Sequence, residues 1–214
     1  MRVLSVSVGR PRAVEHAGSS VMTGIFKQPQ AGRVRVCEQQ LEGDGQADRV
    51  NHGGLAKAVY AYPFEHYAHW SHVLGRPLAV HGQFGENLTI EGLLERDAQI
   101  GDTFQLGTAK LMVSQPRKPC FKLGIRLDDA TFPKQFFASA RVGFYLRVVE
   151  LGDIGAGDAM QLAERGPYGV SVADVWRSVF VDRDDADAAR RVLQIPWLSE
   201  EFREPLEKRL GLSG

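Results

Sequence analysis

The sequence carries one thiol in a setting suited to chemistry. Cys120 lies in the run Val113-Ser114-Gln115-Pro116-Arg117-Lys118-Pro119-Cys120-Phe121-Lys122-Leu123. Pro116 and Pro119 each lack a backbone N–H and fix φ, so neither a helix nor a strand ladder passes through, and a stiff loop is expected. Arg117, Lys118 and Lys122 surround the sulfur with positive charge, which favours the thiolate, the form that attacks electrophiles and ligates soft metals. A lone cysteine is more commonly a small buried hydrophobe, but a cationic loop is a poor place to bury one.

Other stretches offer contacts to an anion. Gly53 and Gly54, beside His52 and followed by Lys57, give backbone that can approach an anion closely and a charge to meet it. The same glycines fit a simple hairpin bend, and their spacing is not that of a Walker loop. Lys27 stands between Ile25-Phe26 and Pro29 and, from local sequence, reads as a solvated lysine rather than an anion contact. In the tight turn Gln83-Phe84-Gly85-Glu86-Asn87, Asn87 brings a donor and an acceptor, and Glu86 a charge, to a place with little room beside Gly85. His66, His69 and His72 recur every three residues, but the stripe drifts and no thiol or carboxylate joins it, so it does not read as a metal site.

The elements that must hold these residues are mostly short strands. Leu4, Val6 and Val8 alternate with serines and stop at Gly9-Arg10-Pro11; Arg33–Val36, Ala58–Tyr62, Lys110–Gln115 and Gly143–Val149 follow the same logic. Leu88-Thr89-Ile90 leaves the tight turn as a further strand. Gly101-Asp102-Thr103-Phe104-Gln105-Leu106 is echoed by Gly157-Asp158-Ala159-Met160-Gln161-Leu162, each a Gly-Asp turn entering an alternating strand. A helix is expected from Pro63 at its first turn to Leu74. At least seven strands before residue 163, separated by glycine turns, favour a closed or nearly closed β-barrel. After the linker Arg165–Gly169 the apolar period changes to 3.6. Ser171 with Asp174 forms a capping box, Asp184 or Asp185 starts a second helix that Ile195-Pro196 ends, and Ser199 caps a third that stops at Gly211. The chain is thus expected to be mainly β with α, with a barrel domain over residues 1–164 and a three-helix appendage over 168–214 packed onto it.

Composition narrows the partners. The 214 residues are 43% hydrophobic and 24% charged, as in an ordinary folded domain, and 26 basic residues balance 26 acidic ones. A pI near 7.0 provides no global attraction to nucleic acid or a membrane surface. No apolar run has the length of a membrane span and the N-terminus lacks a secretion signal, so a cytoplasmic location is expected. Cys37 and Cys120 are then not expected to form a disulfide.

Taken together, Gly24-Ile25-Phe26-Lys27, Leu41-Glu42-Gly43-Asp44, Val50-Asn51-His52-Gly53-Gly54 with Lys57-Ala58-Val59-Tyr60, Phe84-Gly85-Glu86-Asn87-Leu88 and the Cys120 run resemble, in order, the motifs of MOSC domains. These are modules named for the C-terminal part of molybdenum cofactor sulfurase. The match extends over nearly the whole chain and is most similar to the YiiM-like branch, which follows the domain with three helices. The resemblance implies a β-barrel with helical decorations that binds the molybdenum cofactor, or passes sulfur toward it, through Cys120. It implies that Cys120 ligates molybdenum, that Lys27, and Lys57 with His52, Gly53 and Gly54, meet the pterin phosphate, and that Glu86, Asn87, Gln115, Arg117 and Lys122 lie at the cofactor. The activity it implies is reduction of N-hydroxylated bases of the hydroxylaminopurine type, with electrons from a separate redox protein. The alternative it implies is a carrier whose Cys120 receives a persulfide from a cysteine desulfurase. Sulfurases of the family bind pyridoxal phosphate on a further domain that has no counterpart in these 214 residues. Gly85 stands where reductase relatives often have arginine, so one phosphate or substrate contact is expected to be missing, and their N-terminal companion domain is not expected here.

Overall fold

The computed structural model describes residues 1–47 and 53–212. An eight-stranded sheet organises it. Strands β1 (Arg2–Val8), β4 (Gln28–Pro29), β7 (Val59–Pro63), β8 (Leu88–Glu91), β9 (Thr103–Leu106), β10 (Ala109–Pro116), β11 (Phe144–Glu150) and β13 (Met160–Glu164) run in the order β13-β9-β10-β11-β7-β8-β1-β4. A three-stranded sheet joins β12 (Gly152–Ile154), β5 (Val34–Cys37) and β6 (Gln40–Leu41), and β2 (Arg12–His16) forms a hairpin with β3 (Ser19–Thr23). The large sheet curls until its ends nearly meet. Arg2 and Ala159 form an isolated antiparallel bridge, the Val3 amide donates to the Asp158 carbonyl at 2.9 Å, and the Gly157 amide donates to the Val3 carbonyl at 2.8 Å. The expected near-closed arrangement is present, with the loop before β13 rather than a continuous ladder completing the circuit.

The two Gly-Asp strands of the sequence echo, β9 and β13, are antiparallel neighbours with Met160 opposite Leu106. Strands β7 and β8 are the parallel pair, which requires a crossover. Helix α1 (Glu65–Val73) supplies it. Here the expectation needs correction: Pro63 is the last residue of β7, not part of the helix. It faces Ile90 across the parallel ladder, and the next amide, Phe64, donates to the Ile90 carbonyl at 2.7 Å. Pairing with β8 outweighs the preference of proline for a first helical turn.

Two short helices follow the Cys120 loop, α2 (Lys122–Leu127) and α3 (Phe132–Ser139). Phe132 and Phe136, four apart on α3, pack with Trp70 of α1, Tyr62 of β7 and Phe84 in one buried aromatic cluster; Trp70 and Phe136 stack at 5.2 Å between ring centroids. Burying side chains of this size stabilises by roughly 1.5–3 kcal/mol each, so the cluster anchors the floor of the site.

The C-terminal segment forms α4 (Val172–Phe180), α5 (Ala186–Leu193) and α6 (Glu200–Arg209). The capping box at Ser171 and Asp174 is complete, and Asp185 caps α5 through the Ala188 amide. Trp176 lies 4.7 Å from Phe137 of α3, and the Trp197 indole donates to the Ser114 carbonyl at 3.2 Å. The helices therefore pack on one another and against the end of β10.

Candidate functional site

Strand β10 delivers the thiol. At its end the Arg117 amide donates to the Gly143 carbonyl at 3.2 Å, and the Cys120 carbonyl accepts from Leu123 at 3.0 Å as α2 begins. The loop is thus fixed at both ends, as two prolines in five residues require. Cys120 is half-buried, and neither it nor Cys37 is in a disulfide. It lines a cleft together with Thr23, Gly24, Lys27, Asp44, Lys57, Tyr60, Asn87, Arg117, Lys122 and Tyr145.

Arg117 forms the inner wall. Its side chain is 6% exposed and lies over two rings, 5.0 Å from the Tyr60 centroid and 5.7 Å from that of Phe136. Its Nη1 is buried and has no hydrogen-bond partner among the described residues. Burial opposes its charge, but Tyr60, Tyr145 and Cys120 more than offset this and hold the guanidinium above its usual pKa. Burial likewise pushes the Tyr145 phenol up to about 12 against the pull of Arg117, so it remains a protonated donor at neutral pH.

The opposite wall is a closed polar network. Asp44 accepts from Lys27 Nζ at 2.5 and 2.6 Å, from the Gly9 amide at 2.9 Å and from Asn87 Nδ2 at 2.8 Å. Asn87 also donates to the Ser7 carbonyl at 3.2 Å and accepts from the Tyr60 amide at 3.0 Å. The solvated reading of Lys27 is corrected: it is 7% exposed, and burial lowers its pKa despite the partial compensation from Asp44. The ammonium is therefore already paired where an anion would meet it. Local sequence does not show this because its partner lies seventeen residues on, in the same wall of the cleft.

Lys57 reaches the rim and donates to Glu201 of α6 at 2.8 Å, so the C-terminal helices contribute a carboxylate beside the site. Lys122, half-buried, lines the mouth. Glu86 lies behind the wall, accepting from the Tyr67 hydroxyl, the Gly82 and Phe84 amides and Thr89, and does not line the cleft. Gln115 is fully buried, its Oε1 accepting from the Ser199 amide at 3.2 Å and its Nε2 unpartnered among the described residues. Gly53 and Gly54 are absent from the lining, and His52 lies outside the described residues. The structure thus brings together Cys120, Lys27, Lys57, Asn87, Arg117 and Lys122, and adds Asp44, Tyr60 and Tyr145.

Two glycines shape the pocket. A Cβ on Gly24 would collide with the Gly45 carbonyl, so Gly24 lets two loops touch at the cleft wall. Gly85 has φ of 79°, and a Cβ there would lie 2.7 Å from Ile25 Cγ1. An arginine at this position would require Ile25 to move as well as a strained backbone.

The donor set selects its guest. Among the described residues no group of three His, Cys, Asp or Glu can enclose a metal, so an ion at Cys120 would receive one soft protein ligand and must bring others with it. The unpartnered Arg117 nitrogen, with Lys57 and Lys122 at the mouth, favours an anionic guest. A metal carried on a phosphorylated organic cofactor meets both conditions.

A MOSC domain model matches residues 48–161, and a YiiM-like, 3-alpha helix domain model matches residues 170–211. The uncharacterized protein YflK of Bacillus subtilis is 42% identical over 207 residues, covering 97% of this chain and 93% of that protein. YiiM of Escherichia coli is 34% identical, over 86% of this chain and 82% of that protein. A protein named reductase from Gibberella moniliformis is 31% identical over 90% of this chain, which spans 35% of its length. The crystal structure of YiiM from Geobacillus stearothermophilus superposes with a TM-score of 0.81 at 36% identity, covering 99% of both chains. No helix of the structure, among the described residues, is long and apolar enough to cross a membrane. The chain belongs to the MOSC domain family, with the three-helix segment of its YiiM-like members.

Proposed function

We propose that the protein is a molybdenum-cofactor-dependent reductase of N-hydroxylated compounds, with Cys120 as the protein's ligand to the metal. The observation that carries this reading is the pairing, in one cleft, of a half-buried thiol with a buried guanidinium nitrogen that has no partner among the described residues. The name of the 31% identical reductase points the same way.

When bound, the cofactor supplies the two-electron chemistry at its metal; the chain supplies position and protons. Cys120 is the soft ligand. Arg117, held rigid by Tyr60 and Phe136, donates toward an anionic oxygen without reorganising, and Lys57 and Lys122 add charge at the mouth. Tyr145, protonated and lining the cleft, can donate its hydroxyl hydrogen to the oxygen of an N–OH group as that bond weakens. Overall, two electrons from a separate redox protein and two protons convert the N-hydroxy group to N–H and water.

Metal analysis tests the assignment. Protein made in a host that synthesises the cofactor is expected to carry near-stoichiometric molybdenum, to lose most of it on Cys120→Ser and to keep it on Cys37→Ser. Molybdenum unaffected by Cys120→Ser would overturn the reading. So would mass spectrometry showing Cys120 efficiently loaded with sulfur by a cysteine desulfurase in protein that takes up no molybdenum, which favours the sulfur-carrier alternative.

A further inference from the structure

Beside the cleft, Arg12 and Arg76 lie near enough to Arg126 to repel it, and none of the three forms an ion pair with a carboxylate among the described residues. Helix α2 carries Lys122, which lines the cleft, and Arg126 four residues later on the same face. Ile25 and Lys27 also line the cleft, while the ring of Phe26 between them is flanked by two guanidinium groups. The central carbon of Arg12 lies 4.3 Å from its centroid and that of Arg126 5.4 Å. Arg12 comes from β2 and Arg126 from α2, so two separate elements place cations on one ring, near enough that Arg12 repels Arg126. Arg126 Nε is buried without a hydrogen-bond partner among the described residues. A third arginine, Arg76, donates through Nη2 to the Leu127 carbonyl at 3.5 Å.

This arrangement is costly as it stands. Burial pushes the Arg126 guanidinium below its ordinary pKa, Glu86 and Tyr67 pull it back, and Arg12 and Arg76 push it down again. Glu86 attracts it, while its oxygens accept hydrogen bonds from Tyr67, Thr89 and the Gly82 and Phe84 amides. Like charges gathered around a half-buried guanidinium whose Nε has no hydrogen-bond partner among the described residues favour an anion from outside. Arg126 is not among the residues lining the cleft, whereas Lys122 one turn earlier on α2 is, so an anion at Arg126 would sit beside the cleft and not inside it.

We infer that Arg12 and Arg126 form an oxyanion subsite for the phosphate of the substrate, so that the N-hydroxylated base reaches Cys120 as a nucleoside monophosphate rather than as a free base. The substrate half of this inference rests on the proposed reductase function; the subsite itself does not. A phosphate monoester carries about −1.5 to −2 charge at neutral pH, and two guanidinium groups offer it paired, charge-assisted hydrogen bonds. The phosphate of the cofactor is met separately, by the cations within the cleft.

Calorimetric titration of the purified full chain with adenosine 5′-monophosphate, adenosine and inorganic phosphate tests the subsite without requiring molybdenum or electrons. The monophosphate is expected to bind at least ~10-fold more tightly than either of the others, a difference of about 1.4 kcal/mol. Arg126→Gln and Arg12→Gln should each abolish most of that preference. Arg126→Gln removes an uncompensated charge, so its thermal midpoint should be unchanged or raised, and Arg12→Gln alters an exposed side chain; loss of binding then reports on the subsite and not on folding. Equal affinity for adenosine and its monophosphate, inorganic phosphate binding as tightly as the monophosphate, or a preference that survives both substitutions would overturn the inference. Preference for the monophosphate in a protein that reduces N-hydroxylated compounds neither as bases nor as nucleoside monophosphates would leave the subsite standing and remove the proposed function alone.

Discussion

Asp44→Asn probes the wall of the cleft through its pH dependence. The wild-type carboxylate receives Lys27, the Gly9 amide and Asn87 in a nearly solvent-free space. Replacing it with a neutral isostere keeps the volume and leaves the Lys27 ammonium buried without its counter-charge. Breaking a buried pair on one side costs about 3–5 kcal/mol. That cost is limited by the alternative open to a lysine, which is to release its proton, and burial already biases Lys27 that way. The sign follows from proton counts: the unfolded lysine keeps its proton up to a pKa near 10.4, while the folded one gives it up earlier. Between those points the unfolded state binds more protons, so the stability of the variant rises with pH, at no more than about 1.36 kcal/mol per pH unit. Lys27→Met strands the carboxylate instead and should show no recovery over the same range. Urea unfolding near neutral pH and at about pH 9.5 should therefore show the Asp44→Asn deficit narrowing and the Lys27→Met deficit persisting. A neutral-pH loss under about 1 kcal/mol, or a deficit for Asp44→Asn that widens with pH, would refute the view of this pair as buried and mutually dependent.

Tyr145→Phe removes the proposed donor while keeping the ring. The rate of N–OH reduction should fall by roughly 10²–10⁴-fold with molybdenum content unchanged, and a rate within twofold of wild type in single-turnover assays would exclude the role. Glu201→Gln releases Lys57 from its counter-ion at the rim, so a phosphate-bearing cofactor should bind more tightly and dissociate more slowly; weaker retention would show that the pair positions Lys57 rather than competing for it. Ser171→Ala opens the capping box of α4 and should cost about 1 kcal/mol in denaturant unfolding, measured as a lower midpoint at constant m.

Periodicity makes most strands of the sheet and the three C-terminal helices legible, through alternation in the strands and apolar stripes in the helices; α4 and α5 have side-chain caps as well, whereas Ser199 precedes α6 without a side-chain cap bond. Helices α2 and α3 escaped notice for the opposite reason. They have six and eight residues, neither has a side-chain N-cap, and they are held by tertiary burial, α2 through Leu123 and Leu127 and α3 through Phe132 and Phe136 meeting Trp70 across the fold. The β2–β3 hairpin was equally hidden, since its faces are largely exposed and polar. At the site, Cys120, Arg117 and Lys122 announced themselves by clustering in sequence. Asp44 did not: within Glu42-Gly43-Asp44-Gly45 it reads as turn chemistry, and only tertiary proximity to Lys27 and Asn87 reveals it as the centre of a network. Tyr145 was indistinguishable from any strand aromatic until β11 placed it beside Arg117. Glu86 illustrates the reverse error open to sequence reading, a charge in a motif whose work is to tie down its own turn.

The most direct test of the account is X-ray absorption at the molybdenum edge on the loaded protein and on Cys120→Ser loaded in the same way. If the thiol that β10 and its proline-stiffened loop present is the protein's ligand, the metal shell of the variant contains one sulfur fewer than that of the wild type. A shell with the same sulfur count in both would place the metal elsewhere and contradict the central claim.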